Sequence, residues 1–329
     1  MLSILYLLLE SVAVILPILL AVAFMTILER KVLAATQRRV GPNTVGYYGI
    51  LQPFSDALKL IVKETVIPSS SNKVLFYLAP VVAIVVSLLG WAVIPLGQGL
   101  VISDFSMGVL FTLTLSSLGV YGILFAGWSA NSKYAFLGAL RASAAMISYE
   151  LVLSSSIIVV ILLAGSFNYT QIIESQQAIW FIVPLAPVFI LFFISILAET
   201  SRTPFDLQEA ESELVAGFFT EHSSIIFVFY FLAEYSSIVL FSAVTSILFF
   251  GGYNFPELFI NNTFLNLQAC VLGLKTCAIC FVFVWFRATF PRVRFDQIIV
   301  FCWTALLPVV MAFILLVPCL LIAFDLVAV

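Results

Sequence analysis

Apolar residues fall in eight long runs along this chain, roughly 4–28, 74–95, 106–127, 143–165, 179–199, 224–250, 269–286 and 298–324. Each is close to or above the ~18–20 residues that let a helix cross a bilayer core. A membrane barrel would show alternating segments of about ten residues instead. The pattern predicts an all-α polytopic membrane protein of about eight spans, one transmembrane domain over 1–329. Composition agrees: 63% of residues are hydrophobic, only 9% are charged, and mean hydropathy is +1.19. The first run has no basic segment before it and no Arg- and Ser-rich transit segment follows, so it is expected to be a retained helix.

The few charges are unevenly placed. Arg30, Lys31, Arg38, Arg39, Lys59, Lys63 and Lys73 lie between the first and second spans, and Lys133 and Arg141 between the third and fourth or just inside the fourth. Arg202 follows the fifth span, and Arg287, Arg292 and Arg294 follow the seventh. The other connections and both termini lack basic residues, and Lys275, inside the seventh span, alone breaks the pattern. The positive-inside rule puts the basic connections, about 29–73, 128–142, 200–223 and 287–297, on the matrix or cytoplasmic side.

Acidic residues gather at one of these connections. Glu199 to Glu221 holds six of the seventeen carboxylates. Thr203-Pro204-Phe205-Asp206 has the form of a helix start, with Thr203 as cap, Pro204 at the first position and Asp206 against the positive helix end. In the helix so predicted, Leu207, Ala210, Leu214 and Phe218 form an apolar stripe and Asp206, Glu209 and Glu213 a polar one. Glu211 falls within the apolar stripe, where it needs a partner, for which Arg202 is a candidate, or a proton. Three spans carry carboxylates: Glu150, about 13 Å along a helix from Arg141, Glu199 at the end of the fifth span, and Glu234 inside the sixth. An ionised group at a helix centre costs roughly 2.5–3.5 kcal/mol to insert, so such residues face partners or polar cavities. Their graded depths suggest a proton path whose inner mouth is the acidic loop.

In the first connection Gln52, Asp56, Lys59 and Lys63 recur at helical spacing opposite Phe54, Ala57, Leu58 and Ile61, which predicts an amphipathic interfacial helix. Cys277 and Cys280 form a CxxC within an apolar helix, and the five cysteines read as small core residues. His222 is the sole histidine. A haem pair held by histidines is excluded and no redox cofactor is expected in this chain.

Four segments, LERKVLAATQRRVGPNTVGYYGILQPFSDALKLIVKE (28–64), WSANSKYAFLGALRASAAMISYE (128–150), AETSRTPFDLQEAESELVAGF (198–218) and WFRATFPRVRFDQ (285–297), occur in the order of the NADH–ubiquinone oxidoreductase chain 1 family, which the chain resembles. The resemblance implies the membrane subunit of respiratory complex I that holds most of a tunnel for ubiquinone. Its electrons would come from FMN and iron–sulfur clusters in partner subunits. The other membrane and peripheral-arm subunits, ubiquinone and membrane lipids are the implied partners, with no nucleic acid. By position, the tunnel residues would be Glu29, Arg30, Arg39, Asp56, Ala57, Lys59 and Phe219, with Arg294 and Asp296 nearby. The acidic chain toward the membrane arm would be Glu150, Glu199, Glu209, Glu211, Glu213, Glu221 and Glu234, with Arg141 and Arg202 as basic neighbours.

The chain departs from the family pattern twice. Ser201 stands where the family commonly has Asn. His222 stands where it commonly has Tyr, adding a group that titrates near neutral pH; a harmless change is expected. The phenylalanine count of 32 and the missing presequence favour a mitochondrial inner membrane over a bacterial plasma membrane. A cation/proton antiporter, the related subunit of a membrane-bound hydrogenase, and a purely architectural anchor are the competing readings. The absence of paired broken spans, the full basic first connection and the intramembrane acids weigh against them in turn.

Overall fold

The computed structural model describes residues 2–206, 208, 215–254 and 268–324, and within these every long element is helical. In chain order they are α1 (Leu2–Thr36), α2 (Gln52–Val62), α3 (Lys73–Leu89), α4 (Gly108–Ala130), α5 (Lys133–Ala164), α6 (Tyr169–Ser175), α7 (Ala186–Glu199), α8 (Ser224–Phe249), α9 (Gln268–Thr289), α10 (Phe295–Phe301) and α11 (Leu307–Ala323). A π-helical turn, Cys302–Leu306, joins α10 to α11 within one span. Seven helices among the described residues are long and apolar enough to cross a membrane.

The remaining apolar run, 179–199, gives a shorter helix than its length suggests. Pro184 disfavours helix at Val183 and Pro187 sits in the first turn of α7, so regular helix begins only at Ala186. Its 14 residues span about 21 Å, short of the ~30 Å hydrocarbon core. Conversely, the connection expected over 128–142 is mostly helix. Asn131, in the left-handed conformation, ends α4, and Ser132 caps α5 by accepting a hydrogen bond from the Ala135 amide. Two residues suffice for the turn, which places Arg141 within α5.

The connections meet end to end, as the charge pattern requires. At the basic end Asn72 N–H donates to the Ser129 carbonyl, Val66 N–H to Ser223 Oγ and Val293 N–H to the Pro204 carbonyl. At the far end Val109 N–H donates to the Phe167 carbonyl, Ile182 N–H to that of Phe249, and Gln98 N–H to Gln268 Oε1. Helix α5 packs on α4, α7 and α11, while α8 packs on α1, α2, α3 and α9. Polar residues buried in these helices satisfy themselves: Ser236, Ser242, Thr245 and Ser246 each donate to a carbonyl three or four residues back. Such residues therefore pass inside an apolar bundle without leaving orphaned hydroxyls.

The predicted helix start at Thr203 is not formed. Residues 203–206 make a turn with a cis Thr203–Pro204 bond, and buried Asp206 accepts a 2.8 Å hydrogen bond from Arg292. A full countercharge from the connection after α9 replaces the helix dipole as the partner of Asp206, and exceeds it in strength. The rest of that predicted helix, with Leu207, Glu209, Ala210, Glu211, Glu213 and Leu214, lies outside the described residues. The backbone resumes as a turn at Val215 and Ala216 and a 3₁₀ turn at Gly217–Glu221.

Candidate functional site

At the basic end α1, α8, α9 and the connection after α7 converge on Glu29. This carboxylate is buried and takes a hydrogen bond from Arg287, another from the Tyr235 hydroxyl at 2.5 Å, and one from Arg202 at 3.5 Å. Arg202 in turn forms a 3.1 Å ion pair with Glu234 and lies 4.5 Å from the Tyr235 ring centroid. Burial works against the Arg202 charge, but Glu234, Tyr235 and Glu29 outweigh it and hold its pKa above the ordinary value. The guanidinium is a permanent cation shared between two carboxylates on different helices. It is the partner of Glu29 and Glu234; the partner expected from the sequence, Glu211, lies outside the described residues.

Glu234 also faces a cavity of about 110 Å³, where α3, α4, α5, α7 and α8 meet. Its walls include Ser116, Met146, Glu199, Phe219, Tyr230 and Ser237. Ligand pockets usually run to about 300–1,000 Å³, whereas a single water needs about 10–15 Å³ of such space. The cavity therefore has room for several waters. Glu199 is buried on its wall with one carboxyl oxygen, Oε2, making no hydrogen bond to the described residues. A carboxyl oxygen without a partner is costly to keep dry in an apolar bundle, so water or a proton must satisfy it. Across the cavity Glu150 accepts hydrogen bonds from Ser117 and, at 3.4 Å, from Ser116. Glu234, Glu199 and Ser116 thus line one cavity, with Arg202 and Glu29 joined to Glu234 on one side and Glu150 joined to Ser116 on the other.

The amphipathic helix of the first connection is present as α2, against α1 and α8. Pro53 sits in its first turn. Asp56 accepts from Gln52 at 2.9 Å and from Arg30 of α1 at 2.7 Å, which pins the polar stripe to the first span. Phe54 meets Phe24 edge to face, with centroids 6.4 Å apart, while Leu58 and Ile61 stay exposed on the apolar side. Ala57 is half-buried and Lys59 exposed.

The remaining predicted residues do not gather at one point. Arg39 is exposed beyond the end of α1. Arg294 and Asp296 are exposed at the start of α10, Asp296 in its first turn. Arg141 lies 5.8 Å from the Phe295 ring centroid, so these three share one flank with α5. Glu221 is half-buried in the 3₁₀ turn that also carries Phe219. Glu209, Glu211 and Glu213 lie outside the described residues.

His222 is not a neutral-pH titrating group here. It is buried against Phe76, with centroids 4.5 Å apart, and Tyr230, at 5.2 Å. Burial lowers its pKa to about 4, outweighing an opposing interaction with the Ala126 backbone. The ring stays neutral and behaves as one more aromatic. The cysteines are free; Cys280 and Cys302 are core residues as expected, but Cys270, Cys277 and Cys319 are exposed on the outer faces of their helices. Outward-facing apolar positions in a membrane helix carry the same hydropathy as core positions, so composition alone does not separate them.

Sequence reasoning missed Arg287, Arg292, Tyr235, Ser116 and Ser117. A signal existed for Tyr235, a phenol beside an intramembrane carboxylate. The serines had none, since both also donate to carbonyls of their own helix.

Comparison with known proteins agrees over almost the whole length. The sequence profile of a family described as NADH dehydrogenase matches residues 9–318. The chain is 66% identical over 327 residues to the NADH-ubiquinone oxidoreductase chain 1 of Mycosarcoma maydis, covering 99% of both chains. It is 54% identical to that of Podospora anserina, over 98% of this chain and 97% of the relative. A bacterial relative, an NADH-quinone oxidoreductase subunit of Rhodospirillum centenum, is 49% identical over 96% of this chain and 94% of its own.

Proposed function

The chain belongs to the NADH dehydrogenase family, and on that premise we propose that it couples ubiquinone reduction to proton movement. It is a core membrane subunit of NADH–quinone oxidoreductase, multi-pass in the inner membrane, and works as part of that enzyme. In our reading ubiquinone enters beside α2, α1 and the Phe219 turn, and electrons reach it from FMN and iron–sulfur clusters in partner subunits.

The observation that carries the coupling is the Arg202 guanidinium shared between Glu29 and Glu234, with Glu234 opening onto the cavity. Reducing a quinone to a quinol takes two electrons and two protons, so negative charge develops at the basic end before protons arrive. That charge competes with Glu234 for Arg202. A carboxylate losing its countercharge in an apolar bundle binds a proton. When the quinol is neutral again, Arg202 returns and Glu234 gives the proton up, to Glu199 across the cavity and onward through Ser116 to Glu150. Arg202 moves charge and carries no proton; the carboxyls carry the proton. Glu29, held by Arg287 and Tyr235, is the fixed anchor.

Glu234→Gln tests this reading. The variant keeps size and hydrogen bonding but does not ionise. NADH oxidation with a hydrophilic acceptor should persist in the assembled enzyme. Ubiquinone reduction should fall at least tenfold, and protons moved per electron should fall with it. Normal rates and a normal ratio in the assembled variant would rule out Glu234 as a carrier.

A further inference from the structure

The far end of the bundle is built differently from the basic end. Gln176, buried after α6, uses its whole amide. Its Nε2 donates to the Ile172 carbonyl at 3.2 Å and the Ile247 carbonyl at 2.8 Å, and its Oε1 accepts from the amides of Phe181 at 3.3 Å and Gly251 at 3.0 Å. Lys275 of α9 donates to the carbonyls of Phe250, Gly252 and Asn254, each at 2.7 Å, with the Trp180 ring centroid 4.8 Å away. The chain leaving α8 can wrap the ammonium because Gly251 and Gly252 take positive φ values of 71° and 53°. A Cβ on Gly251 would lie 2.8 Å from the Trp180 ring.

Below this clasp lies an apolar layer. Phe189, Phe192, Phe249 and Phe250 pack with centroids 5.1–5.6 Å apart, and Phe192, Ile247, Leu248 and Phe249 are fully buried. The layer separates the clasp from Phe241, the last α8 residue on the cavity wall. From Phe241 to Phe249 the helix rises about 12 Å. Along it the Ser242, Thr245 and Ser246 hydroxyls donate to carbonyls of their own helix. In the clasp, neither the Gln176 amide nor the Lys275 ammonium has a spare donor for a water. The Trp180 indole N–H has no partner among the described residues, but a group that only donates cannot relay a proton.

We propose that the Gln176–Lys275 clasp, with the phenylalanine layer beneath it, is a proton barrier that closes the far end of α8 above the cavity. The proposal rests on the proton-path reading above, since a barrier matters only where protons reach the cavity. A lysine ammonium is suited to it twice over: it satisfies three carbonyls that would otherwise attract water, and its positive charge repels a proton approaching along that route. It also explains the one lysine that breaks the charge asymmetry of the chain, because Lys275 closes the far end of α8 instead of marking a basic loop.

Two measurements on the intact enzyme test the barrier. Hydrogen exchange over 246–254 and 176–182 should be slow in the unaltered complex and faster in Lys275→Met and Gln176→Leu. Proteoliposomes holding these variants, without NADH, should leak protons several-fold faster, while Lys275→Arg stays tight and ubiquinone reduction is unchanged in all. Rapid exchange of these segments in the unaltered complex overturns the barrier whether or not the variants assemble. Faster exchange without a leak overturns the barrier if Glu234→Gln still lowers the proton-to-electron ratio. If that ratio is normal, the same result overturns the proton-path reading, and the barrier falls with it.

Discussion

Arg202 and His222 show how far a residue's meaning depends on its neighbours. Both stand in the connection after α7, both are buried, and burial disfavours the charged form of each. Arg202 keeps its charge because Glu29 and Glu234 flank it; His222, among Phe76, Phe218 and Tyr230, has no such support. The consequence for His222 is a pH dependence of stability with a definite sign. An unfolded imidazole takes a proton near pH 6.5 and the folded one only near 4. Between these values the unfolded state binds the extra proton, so stability is full above about 6.5 and falls as pH drops toward 4. At pH 5 the loss is about 2 kcal/mol. His222→Phe should therefore narrow the gap between thermal inactivation of ubiquinone reductase activity at pH 7.5 and at pH 5. Activity between pH 7 and 8 should not change. An unaltered gap would mean that the ring already has a partner for its charge. That an isolated histidine titrates near neutrality was readable from the sequence; that this one is enclosed by aromatics from α3 and α8 was not.

At the scale of elements, local pattern succeeded where one helix settles its own geometry. The stripe Gln52, Asp56, Lys59 predicted α2, because helical spacing alone places those residues together and the membrane surface favours the segregation. The Thr-Pro-Phe-Asp signature failed because Asp206 meets Arg292, 86 residues away in the chain. Such a contact is invisible to any window of sequence. Glycines carry a similar nonlocal demand. Gly138 on α5 faces the 3₁₀ turn so closely that a Cβ would lie 2.8 Å from Gly217 Cα and 3.0 Å from Phe218 N. Both atoms are backbone, so the turn itself must move, at a cost of about 1–3 kcal/mol for overpacking. The turn carries Phe218 and Phe219 of the cavity wall. Gly138→Ala should assemble in reduced amount and reduce ubiquinone several-fold more slowly per assembled complex. Gly273→Ala on α9, where a Cβ meets nothing within 4 Å, should match the unaltered enzyme. Equal behaviour of the two variants would show that the turn yields without affecting the site.

Over the whole molecule, what hydropathy and charge made legible is the frame: apolar spans and a basic end. The cavity was not legible, since its walls come from five helices and the turn between α7 and α8, and no single element announces it. The same holds for the clasp at the far end, whose parts lie after α6, after α8 and within α9. The frame nevertheless makes a prediction that the pairing of connections sharpens. Lys133, exposed just after the Asn131–Ser132 turn, shares an end with Asn72, because the Asn72 amide donates to Ser129 and Asn131 Nδ2 to the Ser70 carbonyl. Gln98, exposed, shares the opposite end with Gln268. Thirteen of the fourteen basic residues lie in or beside the connections of the first end, so that end should face the matrix. With the native thiols blocked or subtracted, an impermeant thiol reagent should reach Gln98→Cys from the intermembrane side of sealed inner membranes and Lys133→Cys only from the matrix side. Labelling of both from one side would break the helix pairing, and the reverse assignment would leave the pairing intact but overturn the orientation. In that case the Glu29–Arg202–Glu234 network would face the intermembrane space, and under the proposed coupling protons taken up on quinone reduction would be drawn from the wrong side for pumping.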